Sequence, residues 1–316
     1  MKCKLIVIIN LLWLTSGYAK SQSFWITYPE AKIKESGIYH FRKNFRLKAI
    51  PASFTINVAA NENYRLYING IPLPPIQKPV VPDNPSYQTI NIANYLMEGN
   101  NTIAAALSAS AEPAFGIQGK GDLEKVVNTD TSWKVMKNAA YILSDSVNQL
   151  NGASYPWNWE ETAYQDSTWL NASSKAPWDL VPEIKSVVLP EEKLLRFEKL
   201  TSSSGIKVNS SFIKGKRPLK IPAHEKFSIM VETPDKGTDY PELLVSDGKA
   251  ATIKITRMDN PAEKTSHYDL FIADGGENRK FRPLMTKNYR YLQLEINTQD
   301  EPLILTDLYT TVVTVP

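Results

Sequence analysis

Apolar and polar residues alternate along most of this chain with the two-residue period of an extended strand. In ENYRLYINGIPL, Glu62 to Leu73, the residues Tyr64, Leu66 and Ile68 alternate with Arg65, Tyr67 and Asn69. One face of such a strand meets a core while the other stays polar. Asn69-Gly70 then supplies two residues that tolerate positive φ, and a type I′ hairpin turn at that pair is predicted. Short alternating runs recur at Phe54 to Val58, Thr102 to Leu107, Lys226 to Val231, Thr252 to Thr256, Tyr291 to Ile296 and Leu303 to Val315. Sustained helical periodicity is scarce. The best candidate for a short helix or turn is NIANYLMEGNN, Asn91 to Asn101, which Gly99 ends before a strand. Regularly spaced short strands between Gly, Pro, Asn and Asp clusters predict an all-β chain of sandwiches or barrels.

Two segments echo each other, DTSWK at Asp130 to Lys134 and QDSTW at Gln165 to Trp169. Each suits a turn in which Asp or Ser caps the backbone and Trp anchors the following strand in a core. Trp25, Trp133, Trp169 and Trp178 are read as core or interface anchors on the same grounds, and Tyr28 is left open. The alternating pattern is poorest in LPEEKLLRFEKLTSSSG, Leu189 to Gly205. A domain boundary is expected there, giving one β domain over 20–190 and a second over 191–316.

Composition changes the picture at the N-terminus. Lys2 and Lys4 precede the apolar run Leu5 to Leu14, and small residues Gly17 and Ala19 follow. This is the pattern of a secretory leader, 1–19, cut near Ala19, and a run this short falls below the ~20 residues that span a bilayer. A secreted or periplasmic protein with no integral membrane span is expected. The single cysteine, Cys3, lies before the apolar run, so the mature chain would carry neither thiol nor disulfide. Removing the leader leaves 34 basic residues against 33 acidic ones. A near-neutral chain without long single-sign runs offers nothing to nucleic acid, so a neutral ligand or a protein partner fits better.

Candidate chemistry is sparse. His40, His224 and His267 are far apart, with no spacing that suggests zinc, and no Gly-x-Ser-x-Gly elbow or phosphate-cradling glycine loop occurs. Metal and cofactor are expected to be none. Hydrolysis at a sugar carbon needs two carboxylates held about 5 to 9.5 Å apart. The adjacent pairs Glu160-Glu161 and Glu191-Glu192 do not supply that, because neighbours on a strand face opposite sides. The densest cluster is YPWNWEE, Tyr155 to Glu161. An indole face stacks on the C–H face of a pyranose while Asn158 and Glu160 bond hydroxyls, so Tyr155, Trp157, Asn158, Trp159 and Glu160 form a candidate carbohydrate site. In the competing reading, Trp157 or Trp159 plugs the gap between domains.

Several segments together resemble the N-terminal region of secreted bacterial α-L-rhamnosidases. YHFRKNFRL (Tyr39 to Leu47), YRLYINGIPL (Tyr64 to Leu73), YQTINIANYLMEGNNTIAA (Tyr87 to Ala105) and the two Asp-to-Trp turns follow the order of that family's sugar-binding modules. GGENRKFRPLMTKNYRYLQLEI, Gly275 to Ile296, is similar to the last strands of the β-sandwich that precedes the catalytic barrel. The resemblance covers nearly the whole mature chain and implies two β-sandwich domains of galactose-binding-like, jelly-roll type. In the family the acid and base carboxylates sit in an α/α barrel, which would begin where this chain ends at Pro316, so no catalytic residue is carried over. The expectation is a non-catalytic, carbohydrate-binding part of a rhamnosidase-like hydrolase, with a plant-type, rhamnose-containing polysaccharide or oligosaccharide as candidate ligand. Two alternatives stand beside it: a fragment of an active rhamnosidase whose barrel lies downstream, and a structural or protein-interaction module without a glycan.

Overall fold

The computed structural model describes residues 22–32, 35–74, 87–177, 191–284 and 287–314. The expected leader, Trp178 and the first residues of the expected boundary segment lie outside them. Among the described residues the chain is nearly all β, with one four-residue α-helix, Ser210–Ile213, and three single 3-10 turns.

The first sandwich is two sheets facing one another. Ser173–Pro177, Phe24–Thr27, Phe115–Gly119, Thr55–Ala60 and Gln88–Asn91 make one sheet in that order. Leu170–Asn171, Lys134–Lys137, Gly37–Leu47, Gly99–Ala109, Asn63–Ile68 and Ile71–Pro72 make the other. The alternation in the opening segment does what it predicts. Tyr64, Leu66 and Ile68 are buried in the shared core with Phe41, Ile56, Ile103 and Phe115, while Arg65 and Tyr67 stay partly open. Ile68 pairs with Ile71, so Asn69-Gly70 is the two-residue turn, with φ of 52° and 80°. Both Asp-to-Trp turns also close as expected. Trp133 N–H donates to Asp130 O at 3.2 Å and Trp169 N–H to Asp166 O at 3.0 Å, and both indoles are buried. Trp25 is half-buried, and Tyr28 packs against the first core.

The second sandwich is built by a sheet that turns back on itself. Its spine is Lys226–Asp247, a 22-residue strand. The N-terminal half pairs with Lys287–Asn297 and the C-terminal half with Leu303–Thr314, across a register break between Glu232 and Gly237. The break lets one strand serve both layers, so Phe227, Ile229 and Val231 from its first half meet Leu243 and Val245 from its second in one core.

Chain order and core membership do not coincide. After Lys134–Lys137 in the first sandwich, the hairpin of Tyr141–Leu143 and Val147–Asn151 joins the sheet of the second, pairing in parallel with Tyr268–Ile272. Leu150 and Ala140 are buried in the second core although they precede the expected boundary. The chain then returns, through residues 152–169, to the first sandwich at Leu170–Asn171.

Candidate functional site

The YPWNWEE segment is the return crossing. It bridges the two sandwiches, because the preceding hairpin docks on the second sheet while the strand that follows rejoins the first. It is a chain of tight turns. Asn151 caps the 3-10 turn Gly152–Ser154 by accepting from Ala153 N–H, after which Trp159 N–H donates to Pro156 O at 3.1 Å and Glu161 N–H to Asn158 O at 3.0 Å. Asn158 takes the positive φ of 62° that this winding requires.

What lies beneath explains why the segment sits where it does. The central strand Gly37–Leu47 is buried on both faces: Tyr39 and Phe41 enter the sandwich core, while His40 and Arg42 point outward under the crossing segment. Ala104 and Ala106 on the neighbouring strand are small enough to leave room above the sheet for the indoles of Trp159 and Trp169. Trp159 stacks on the His40 ring at 3.9 Å between centroids. Arg42 reaches the segment from below, donating from Nη1 to Trp159 O at 2.7 Å and from Nη2 to Glu161 O at 3.3 Å, with Asp166 Oδ2 at 2.9 Å from Nε. The Asn69-Gly70 turn adds a donor, Gly70 N–H to Glu160 O at 3.1 Å. This buried guanidinium donates to two backbone carbonyls of the segment and is ion-paired with Asp166, and so it pins this crossing to the first sandwich.

The five predicted site residues therefore separate. Trp159 is 1% exposed and does not reach the surface; it is a packing residue, and its place in a sugar platform is corrected. Tyr155, Trp157, Asn158 and Glu160 line one cleft of about 730 Å³ between the sandwiches. Tyr155 accepts a bond from Trp159 Nε1–H at 3.2 Å, and burial raises its hydroxyl pKa well above the ordinary value. Trp157 is half-buried, donates from Nε1 to Gly152 O at 2.9 Å, and carries the Arg279 guanidinium 4.5 Å above its ring. Asn158 is exposed. Burial raises the Glu160 carboxyl pKa above the usual value, and Glu161 beside it works in the same direction against Arg42.

Most of the cleft's remaining chemistry escaped the reading of the chain. Tyr67 and Arg65 come from the polar face of the opening strand, Tyr141 from the hairpin, and Tyr240 and Arg282 from the second sandwich. Only the first two carry a signal, as outward positions of a recognisable strand. Arg65 Nη2 and Arg282 Nη2 bind opposite oxygens of Glu192 at 2.7 and 2.6 Å, so one carboxylate joins guanidiniums from both sandwiches. The Arg282 guanidinium lies 3.8 Å over the Tyr240 ring. Burial works to raise the neighbouring Glu242, yet Arg282 and Lys280 outweigh it and hold that carboxyl below its usual value.

Adjacent acids behave as their spacing implies: Glu161 and Glu191 are exposed, while Glu160 and Glu192 turn inward. Among the described residues no group of three or more His, Cys, Asp or Glu is placed to hold a metal, and no helix is long and apolar enough to cross a membrane.

No protein-family model matches this chain, and neither does any curated protein. Solved structures do match. The GH78 family rhamnosidase of Bacillus sp. GL1 superposes with a TM-score of 0.78 at 9% identity, over 93% of this chain and 55% of that one. The α-L-rhamnosidase of Dictyoglomus thermophilum gives 0.67 at 18% identity, over 93% of this chain and 36% of its own. That of Aspergillus terreus gives 0.67 at 14% identity with the same coverages, 93% and 36%. The chain thus spans between a third and just over half of the length of these enzymes. At such identities the likeness is one of fold.

Proposed function

We propose that this chain is a carbohydrate-binding, non-catalytic β-sandwich unit of the kind associated with glycoside hydrolases, and that its ligand occupies the cleft between the sandwiches. The observation that carries this reading is the cleft's lining: Tyr67, Tyr141, Tyr155 and Trp157 bring ring surface to one concave volume, with Asn158 and Glu160 beside them as hydrogen-bonding groups. Sugars are held by this combination of stacking surface and a few placed polar groups, in cavities of a few hundred to a thousand Å³. The fold shared with α-L-rhamnosidases supports a rhamnose-containing plant oligosaccharide as ligand class, and the leader-like N-terminus supports an exported protein.

Calorimetric titration with rhamnose-containing pectic oligosaccharides tests the reading on the wild type, Trp157→Ala and Trp159→Ala. Binding is expected in the wild type, with a loss of about 1–2 kcal/mol in Trp157→Ala at unchanged circular dichroism. Trp159→Ala is expected to lower the melting temperature instead, since removing a buried indole costs roughly 3–5 kcal/mol. No release of product from an aryl α-L-rhamnoside is expected. Absence of glycan binding, or equal affinity in Trp157→Ala, would overturn the site.

A further inference from the structure

We infer that Arg279 is the specificity-determining residue of this cleft, a guanidinium clamped in place to donate hydrogen bonds to ring hydroxyls of a bound sugar; this deepens, and rests on, the carbohydrate reading above.

The segment DGGENR, Asp274 to Arg279, follows the strand Tyr268–Ile272 and brings Glu277, Asn278 and Arg279 to the cleft wall beside Trp157. Its glycines and acid build a seat for the guanidinium. Arg279 Nε donates to Asp274 Oδ2 at 3.0 Å and Oδ1 at 3.2 Å, with Nη2 2.9 Å from Oδ2. Asp274 is itself fixed, since its Oδ1 accepts from Gly276 N–H at 3.1 Å. A Cβ at Gly276 would stand 2.4 Å from both Nε and Nη2, so any side chain there would displace the guanidinium. From the crossing segment comes the remaining contact, the Trp157 ring, whose centroid lies 4.5 Å from the guanidinium carbon. Trp157 cannot drift, because its Nε1–H donates to Gly152 O at 2.9 Å.

Nη1 stands apart from this clamp. It makes no hydrogen bond with the described residues, and on a side chain 23% exposed it is not one of the nitrogens withdrawn from solvent. Two N–H donors are thus held ready at the wall of the cleft. A planar fork already immobilised by an acid and an aromatic ring loses little freedom when a ligand arrives. Asp274 answers its charge, so a hydroxyl or ring oxygen suffices as the acceptor, and a bond from a charged donor is stronger than one between neutral groups. On the ring face that it covers, Arg279 rather than the indole meets a ligand, and Trp157 serves there as a positioning residue. A site built to bond a hydroxyl rejects the analogue that lacks it, which makes Arg279 a source of discrimination as well as affinity.

The test titrates methyl α-L-rhamnoside and its three monodeoxy analogues into the intact wild-type chain, Arg279→Gln, Arg279→Lys and Gly276→Ala, with melting temperatures alongside. In the wild type at least one analogue is expected to bind tenfold or more weakly than the parent sugar. Arg279→Gln should bind the parent and that analogue alike. Arg279→Lys should do the same, because an ammonium keeps the charge and loses the fork. Gly276→Ala should shrink the preference without touching the ligand. An unchanged ratio in Arg279→Gln, or no wild-type preference among the four sugars, overturns the role of Arg279 and leaves the carbohydrate reading standing. Where the pectic oligosaccharides bind and the rhamnoside does not, Arg279→Gln is titrated with the oligosaccharides, and an affinity within twofold of wild type overturns it equally. Failure of every sugar to bind the wild type removes both readings. Should Arg279→Gln not fold, the ratio in Gly276→Ala decides.

Discussion

At the scale of single residues, Gly70 shows how directly backbone chemistry sets the start of the site. Its φ of 80° lies in the left-handed region, and a Cβ there would come to 3.2 Å from Glu161 Cγ. Gly70→Val is expected to cost on the order of 1–2 kcal/mol through backbone strain alone, with a lower denaturant midpoint as the readout. An unchanged midpoint would mean that the turn tolerates a β-branched residue at positive φ. The same substitution should disturb Glu160, because Gly70 N–H holds the Glu160 carbonyl. The Asn-Gly turn was legible from the chain as a hairpin, but its service to the crossing segment was not, since 90 residues separate the partners. Trp159 teaches the converse. Aromatic density marks it in the chain, yet whether an indole lies on a surface or under one depends on the alanines and the histidine of other strands.

At the scale of elements, the hairpin Tyr141–Leu143 and Val147–Asn151 decides the position of everything after it. Its parallel pairing with Tyr268–Ile272 ends at Asn151, opposite Ile272, and the next residue, Gly152, packs flat against the neighbouring backbone. A Cβ at Gly152 would stand 2.8 Å from Ile272 O and 3.1 Å from the Phe271 ring. Gly152→Val is therefore expected to prise the hairpin from the second sheet at a cost of about 1–3 kcal/mol. Amide exchange at residues 147–151 should quicken while Asn63–Ile68 in the first sandwich keeps its protection. Uniform protection in the variant would contradict the account. Parallel pairing across more than a hundred residues leaves no mark in local periodicity, because alternation reports that a strand is half-buried and not which sheet it joins.

At the scale of the whole molecule, the crossing buries a titratable group that ties stability to pH. Burial lowers the His40 pKa from 6.5 to about 3, with Trp159, Tyr155 and Trp169 around the ring and Asn138 Nδ2 3.4 Å from Nε2. Between those two values only the unfolded chain takes up the proton. The stability present above pH 6.5 is thus lost as pH falls toward 3, by on the order of 5 kcal/mol from this group. Denaturant midpoints from pH 7 to pH 4 should fall steeply in the wild type and less in His40→Phe, which keeps a ring against Trp159 and has no proton to gain; parallel profiles would refute it. Local pattern alone determined the all-β character of this protein, the strand character of its short alternating runs, the Asn-Gly and Asp-to-Trp turns, and the richness of residues 155–161, because each rests on neighbours one to four positions apart. Only the tertiary structure decided that those residues bridge two sandwiches, that Trp159 is packing while Trp157 faces a cleft, and that Arg65 and Arg282 meet across Glu192. Burial and charge pairing are sums over residues distant in the chain, and no local period carries them.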